Sequence, residues 1–328
     1  MNGKHTVKIN DQRVRYSFEL VRNITVVKGD SGTGKTTLFD MVSAHARLGK
    51  RSGVQITCDK PCVALHAESD WQARLDGFHD SIVFIDEDAE FISSHAFASA
   101  IRHTDNYYVI FCRDALHELP YSVEEIYEIK TSNRLHTFRK MYRRQNDYVY
   151  AKAEGKTKPT AILTEDSHAG YQLYQHYYEG TNVTCASSGS NSGIFSWILE
   201  HHEENVFVVA DGAAFGSEMN RVMDLQRRFP DKITICLPES FEWLILQSGL
   251  LDFPGLHEML EHPSDSIDSQ QYFSWENFFE EYLVLHTAGT HYAYSKSQLQ
   301  KFYSVRENSE KIVALIAANM PKTKDDDS

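Results

Sequence analysis

The chain has 328 residues, enough for two domains that each bury a core, and 41% of them are hydrophobic, which excludes a disordered or fibrous polymer. A formal charge of −13 argues against a broad nucleic-acid surface, because neutralising phosphates requires an excess of Lys and Arg. No apolar run reaches membrane-spanning length and Met1-Asn2-Gly3-Lys4-His5 lacks the apolar core of a secretion signal, so a soluble cytoplasmic protein with no membrane partner is expected.

The first predicted element is a hairpin. Thr6 to Ile9 forms one strand, Asn10-Asp11 the turn, and Val14, Tyr16, Phe18 and Leu20 share one face of the second strand, opposite Arg13, Arg15, Ser17 and Glu19. The apolar strand Ile24-Thr25-Val26-Val27 follows and leads into Gly29-Asp30-Ser31-Gly32-Thr33-Gly34-Lys35-Thr36, a G-x-x-x-x-G-K-[ST] phosphate loop. From Thr37 a helix opens whose unpaired N–H groups would face an anion. The spacing predicts a Mg²⁺-dependent site for a nucleoside triphosphate, ATP or GTP, formed by Gly29 to Thr37. Lys35 would neutralise β and γ oxygens there, and Thr36 would hold the metal.

After a strand near Gln55 to Thr57 or Cys62 to Leu65, Ile82-Val83-Phe84-Ile85 ends in Asp86-Glu87, the pattern called Walker B. The reading assigns Asp86 to the Mg²⁺ and Glu87 to activating the attacking water, against the plainer alternative that both acids cap the next helix. A helix from about Ser94 to Arg102 and a strand over Asn106 to Cys112 follow, so a parallel sheet covered on both faces is expected. Arg113, just past that strand, either contacts the γ-phosphate or pairs with Asp114. The five cysteines, Cys58, Cys62, Cys112, Cys185 and Cys236, read as structural thiols, and none of the sixteen histidines is assigned to a metal. The basic run Arg134 to Arg144 and the group Arg221, Arg227 and Arg228 are either solvated faces or grips for a DNA or RNA strand.

Over residues 1–150 the loop Gly29 to Thr37 and the strand pattern resemble the P-loop NTPase superfamily. The stretch between Lys35 and Asp86 is too short for the inserted helical subdomain of transporter-type ATPases, and no LSGGQ-like signature occurs. The resemblance implies an NTP hydrolase in which Lys35 and Glu87 are catalytic.

Residues 151–160, Ala-Lys-Ala-Glu-Gly-Lys-Thr-Lys-Pro-Thr, read as a linker. A second α/β alternation then runs over residues 161–262. Its strands are Ala161 to Thr164, Asn182 to Ala186, Val206 to Ala210 and Lys232 to Leu237, and its helices Asp166 to Tyr178, Gly193 to His201 and Met219 to Arg228. Glu165 closes its first strand, Asp211 its third, and Glu239 and Glu242 follow its fourth, all at the edge where a parallel sheet gathers ligands.

This arrangement resembles, over residues 160–255, the Toprim domain of topoisomerases, primases and OLD-family nucleases. The resemblance implies that Glu165 serves in proton transfer or metal binding and that Asp211 is the first Asp of an Asp-x-Asp metal pair. Ala213 stands at the second Asp, so Glu218, Glu239 or Glu242 would have to replace it. The whole chain is then an ATPase coupled to a Toprim-like unit acting on nucleic acid, in the manner of OLD-type phage-defence nucleases. The alternatives are an NTP-driven switch or assembly protein with an inactive Toprim-like module, and a small-molecule phosphotransferase.

The turn Ser187 to Gly193 either holds a phosphate or is simply a tight polar turn. A helical segment over residues 263–318 carries Trp275, Phe278, Phe279, Tyr282 and Leu283 on one face, as core or as a surface for a homo-oligomer or partner protein. Residues 319–328 read as a disordered acidic tail.

Overall fold

A computed structural model describes residues 1–30, 32–146, 148–154 and 159–316. The chain divides into two compact units, Met1–Tyr142 with Glu261–Ser274, and Arg143–Leu260 with the described residues from Trp275 on. Both are α/β. Among the described residues no helix is long and apolar enough to cross a membrane. Ser31, part of the predicted linker and the predicted acidic tail lie outside the described residues.

In the first unit β1 (His5–Asn10) and β2 (Arg15–Leu20) pair antiparallel, as their alternation predicts: Tyr16, Phe18 and Leu20 are buried while Arg15 and Glu19 are exposed. The strand β3 (Ile24–Lys28) is buried throughout and feeds the phosphate loop and α1 (Lys35–Leu48). Both strands left as alternatives in the sequence exist, β4 (Gln55–Thr57) and β5 (Cys62–Leu65), followed by α2 (Trp71–Leu75), β6 (Ile82–Ile85), α3 (His95–Ile101) and β7 (Tyr107–Phe111).

The hairpin β8 (Ile126–Ser132) and β9 (Leu135–Lys140) turns at Asn133, whose φ of 55° is a conformation Asn tolerates better than most side chains. It places much of the basic run on a strand in which Arg139 pairs with Glu128 at 2.6 Å and Lys140 with Glu124.

The strand order is β4-β1-β2-β9-β8-β3-β7-β6-β5. Its parallel pairs are those of β5-β6-β7-β3-β8 and, separately, β2–β9, so the expected parallel sheet is instead mixed, with antiparallel pairs β1–β2, β1–β4 and β8–β9. The terminal strands β4 and β5 are joined only by Cys58 to Pro61, which requires the sheet to curl, and Phe18 of β2 meets Phe84 of β6 at 6.3 Å between rings. The Walker B strand does not adjoin the phosphate-loop strand, because β7 lies between them.

The second unit's sheet runs β10 (Val149–Ala151), β14 (Ile233–Cys236), β13 (Val206–Val209), β11 (Ala161–Thr164), β12 (Thr184–Ser187), parallel except for β10. Val149–Ala151, at the predicted boundary between domain and linker, is thus a strand of this sheet.

The helices of this unit are α4 (Ala169–Tyr177), α5 (Asn191–Glu200), α6 (Met219–Arg228), α7 (Phe241–Gln247) and α8 (Leu256–Glu261), and after α9 (Pro263–Ser266), which belongs to the first unit, α10 (Trp275–Thr287), α11 (Lys301–Ser304) and α12 (Arg306–Ala314). The first of them starts later than the expected Asp166, because Asp166 Oδ1 accepts the N–H of His168 at 3.0 Å and holds the chain in a turn. Trp243 of α7 packs on Phe279 of α10 at 4.7 Å, so the aromatic face of α10 belongs in part to this unit's core.

Candidate functional site

The phosphate loop opens α1 from Gly34, whose φ of 102° suits glycine, and a Cβ there would lie 2.8 Å from the Tyr16 hydroxyl. That hydroxyl donates to the Gly34 carbonyl at 2.9 Å, and the Tyr16 ring stacks on His136 at 4.6 Å. The hairpin therefore braces the loop directly. A cleft of about 280 Å³ is lined by Asp30, Gly32, Thr33, Gly34, Lys35, Thr36, Thr37 and Glu87, with Tyr16 and His136 along its wall.

Lys35 is 3% exposed. Its ammonium donates to the carbonyls of Gly29 and Asp30 and lies 3.3 Å from Glu87 Oε2. Arg113 donates to the other oxygen of Glu87 at 2.6 Å and so pairs with the acid that closes β6. The Arg113 hydrogen bond, aided by Lys35, holds the Glu87 carboxyl below its ordinary range. Asp86 is pushed up by burial and by neighbouring Asp88, Glu87 and Asp40, and accepts the Glu87 N–H at 2.9 Å. Asp86 is absent from the cleft lining while Glu87 is present, so this geometry brings Lys35, Thr36 and Glu87 together and leaves Asp86 behind them.

In the second unit a small cavity of about 40 Å³ lies at the carboxyl edge of the sheet, lined by Glu165, Asp211, Glu242, Tyr294 and Lys296 among others. The Asp211 N–H donates to Glu165 Oε2 at 3.3 Å, and Asp211 Oδ1 accepts the N–H of Phe241 at 3.2 Å. Gly212 allows this closeness: a Cβ there would lie 2.8 Å from the carbonyl oxygens of Leu237 and Pro238. Glu242 accepts the Tyr294 hydroxyl at 2.6 Å.

Ligand atoms of Glu165, Asp211 and Glu276 lie within 4.8 Å of one another, a grouping that could hold a metal ion. Glu276 also receives Lys296 Nζ at 2.7 Å, and Glu280 receives it at 3.3 Å.

The acids outnumber the cation, and the protonation follows. Burial, then the carboxylates of Glu276 and Asp166, push Glu165 up to about 8. Burial and the surrounding acids raise Asp211 well above the carboxylate range, and burial raises Glu242 as well. Burial works against the charge on Lys296, but Glu276, Asp211 and Glu242 more than offset it and raise its pKa.

Glu165, Asp211 and Glu242 thus share the cavity, as their strand ends predict, whereas Glu239 does not line it: its carboxylate meets Arg144 at 3.4 Å. Ala213 is buried and its N–H donates to the Glu239 carbonyl at 3.1 Å. Glu218 likewise pairs with Arg221, at 3.3 Å. Sequence reasoning missed Glu276 and Lys296, which lie beyond the Toprim-like segment; the signal available was two acids four residues apart, Glu276 and Glu280, on an otherwise aromatic helix.

At Ser187 to Gly193 the hydroxyls are used internally. Ser188 Oγ lies within 3.1 Å of the Thr164 carbonyl and 3.0 Å of the Ser190 carbonyl, and Ser190 Oγ caps α5 by accepting the Gly193 N–H at 3.3 Å. The tight-turn alternative accounts for these contacts.

No protein-family model matches the chain, and a search of curated proteins returns no match.

Proposed function

We propose that the first unit binds and hydrolyses a nucleoside triphosphate, ATP or GTP, and that the second is a Toprim-like module acting on DNA or RNA through a divalent metal ion. The observation that carries the first half is Lys35, an almost fully buried ammonium at the mouth of a helix, held by the loop's own carbonyls and by Glu87. Triphosphate oxygens would satisfy the same ammonium and the open N–H groups of α1. Thr36 and Asp86 are the residues that would hold Mg²⁺, which supplies charge neutralisation at the phosphates. Glu87, kept ionised by Arg113, can take a proton from water in the same cleft, and Arg113 can turn to the γ-phosphate.

For the second half the support is the shared cavity of Glu165 and Asp211 with further acids, a setting that favours a divalent cation. One observation favours the alternative of an NTP-driven switch with an inactive module: Ala213 occupies the second Asp position.

Phosphate release with Mg²⁺ tests the first half, expected in the wild type and absent in Lys35→Ala. Cleavage of single- and double-stranded substrates with Mn²⁺, with and without nucleotide, tests the second. Cleavage lost in Glu165→Ala supports the nuclease; no cleavage by a protein that still hydrolyses NTP supports the switch.

A further inference from the structure

The second unit contains an acid that its resemblance does not account for. Glu276 is set on α10, and its carboxylate joins Glu165 and Asp211 within 4.8 Å. Glu242 is 1% exposed and lines the cavity of Glu165 and Asp211, yet among the described residues its Oε2 has no hydrogen-bond partner. A buried carboxylate oxygen left unpaired is costly, and it is accounted for when a cation or its bound water faces it.

The charge count points the same way. Glu165, Asp211 and Glu242 line a cavity in which, among the described lining residues, Lys296 is the only Lys or Arg, and Glu276 adds a further carboxylate within 4.8 Å of Glu165 and Asp211. Size limits the occupant. The cavity beside Glu165, Asp211 and Glu242, about 40 Å³, admits one ion with little water, and two ions at the roughly 4 Å spacing of two-metal sites would need more room.

We propose that α10 supplies the carboxylate lacking at Ala213, so that Glu165, Asp211 and Glu276 hold a single divalent cation. This inference rests on the reading of the second unit as a metal-dependent module. Lys296 is a positioning residue: its ammonium, bonded to Glu276 at 2.7 Å and to Glu280 at 3.3 Å, fixes the side chain of Glu276 toward the other two acids. Its backbone is itself held, since the Ala169 N–H at the start of α4 donates to the Lys296 carbonyl at 2.9 Å. Glu242 faces the ion through a bound water, which supplies the donor its orphan oxygen lacks.

The test is Mn²⁺ binding to the nucleotide-free full chain, read from the loss of the free-ion electron paramagnetic resonance signal. Wild type is expected to bind an ion that Asp211→Asn abolishes, and Glu276→Gln to weaken that binding about tenfold or more. Glu280→Gln, which removes only the second partner of Lys296, is expected to stay within about twofold of wild type. Should Glu276→Gln fail to fold, Glu276→Asp keeps the charge but withdraws the carboxylate by one methylene, and severalfold weaker binding is expected.

Wild-type affinity in the folded Glu276 variants, with binding lost in Asp211→Asn, would overturn the third-ligand assignment and leave the metal module standing. If Asp211→Asn binds as the wild type does, the metal module itself fails, and this inference with it.

Discussion

The two units place carboxylates at the same kind of position, just beyond the carboxyl end of a buried parallel strand, yet give them opposite charge states. Glu87 follows β6 and is held below its ordinary range, because Arg113 and Lys35 supply cations at hydrogen-bond distance beside an open cleft. Glu165 follows β11 and is pushed up to about 8, because burial and other acids outweigh Lys296. Strand-end position chooses where an acid sits. Its neighbours choose how readily it ionises: two cations favour the charged form of Glu87, and burial among other acids disfavours that of Glu165.

The strongest way to break this comparison is at Lys35. Lys35→Ala is expected to abolish nucleotide binding or turnover, since among the described residues lining that cleft Lys35 is the only Lys or Arg; fluorescent-nucleotide titration and phosphate release would check it, and unchanged values would show the loop to be accidental. Next in size is Glu87→Gln, expected to retain binding and to lose hydrolysis by about a hundredfold or more. Wild-type turnover in that variant would remove Glu87 from the chemistry.

Stability under chemical denaturation sharpens the contrast. A third acid, Glu125, tests burial alone: it is 1% exposed, accepts a hydrogen bond from Thr25 at 3.2 Å, and is pushed by burial up to about 7 against the pull of Arg22. Because the folded state holds this proton more tightly than the unfolded state, its contribution to stability is greatest below the unfolded value of 4.5 and falls as pH rises to about 7. The loss across that window is about 3 kcal/mol. Glu125→Gln should remove this part of the pH dependence, and urea midpoints measured from pH 4 to pH 8 would show whether it does.

A smaller and opposite pair of effects is expected from the two sites in the metal-free protein at neutral pH. Asp211→Asn relieves a crowded acid and should raise stability by about 1 kcal/mol or more, whereas Glu87→Gln deprives Lys35 and Arg113 of their partner and should lower it. Equal shifts of the same sign would end the comparison. The smallest expected change is in Tyr16→Phe, which removes the donor to the Gly34 carbonyl and should cost about 1 kcal/mol of stability while leaving nucleotide affinity within severalfold.

Much of this was legible in the sequence where the physics is local. A glycine-bearing loop between a buried strand and a helix needs only consecutive residues to declare itself, and so do the alternation of Tyr16, Phe18 and Leu20 and the continuous apolar strands Ile82 to Ile85 and Val206 to Val209. Strand-end logic also brought Glu165, Asp211 and Glu242 to one place. It failed for Glu239, because a carboxylate three residues past the end of β14 can turn either way and this one found Arg144. The β8–β9 hairpin went unread because its exposed half is charged and its basic residues masked the alternation.

The sequence by itself therefore determined the α/β class, the glycine-bearing loop with its lysine between β3 and α1, and which strands end in acids, since each depends on spacing along the chain. Only the tertiary structure decided that β7 separates β3 from β6, that Arg113 meets Glu87, and that Glu276 and Lys296 come to Glu165 and Asp211 from the far end of the chain. The physical reason is that charge pairing acts through space over a few ångströms, whereas a motif records only neighbours in the chain.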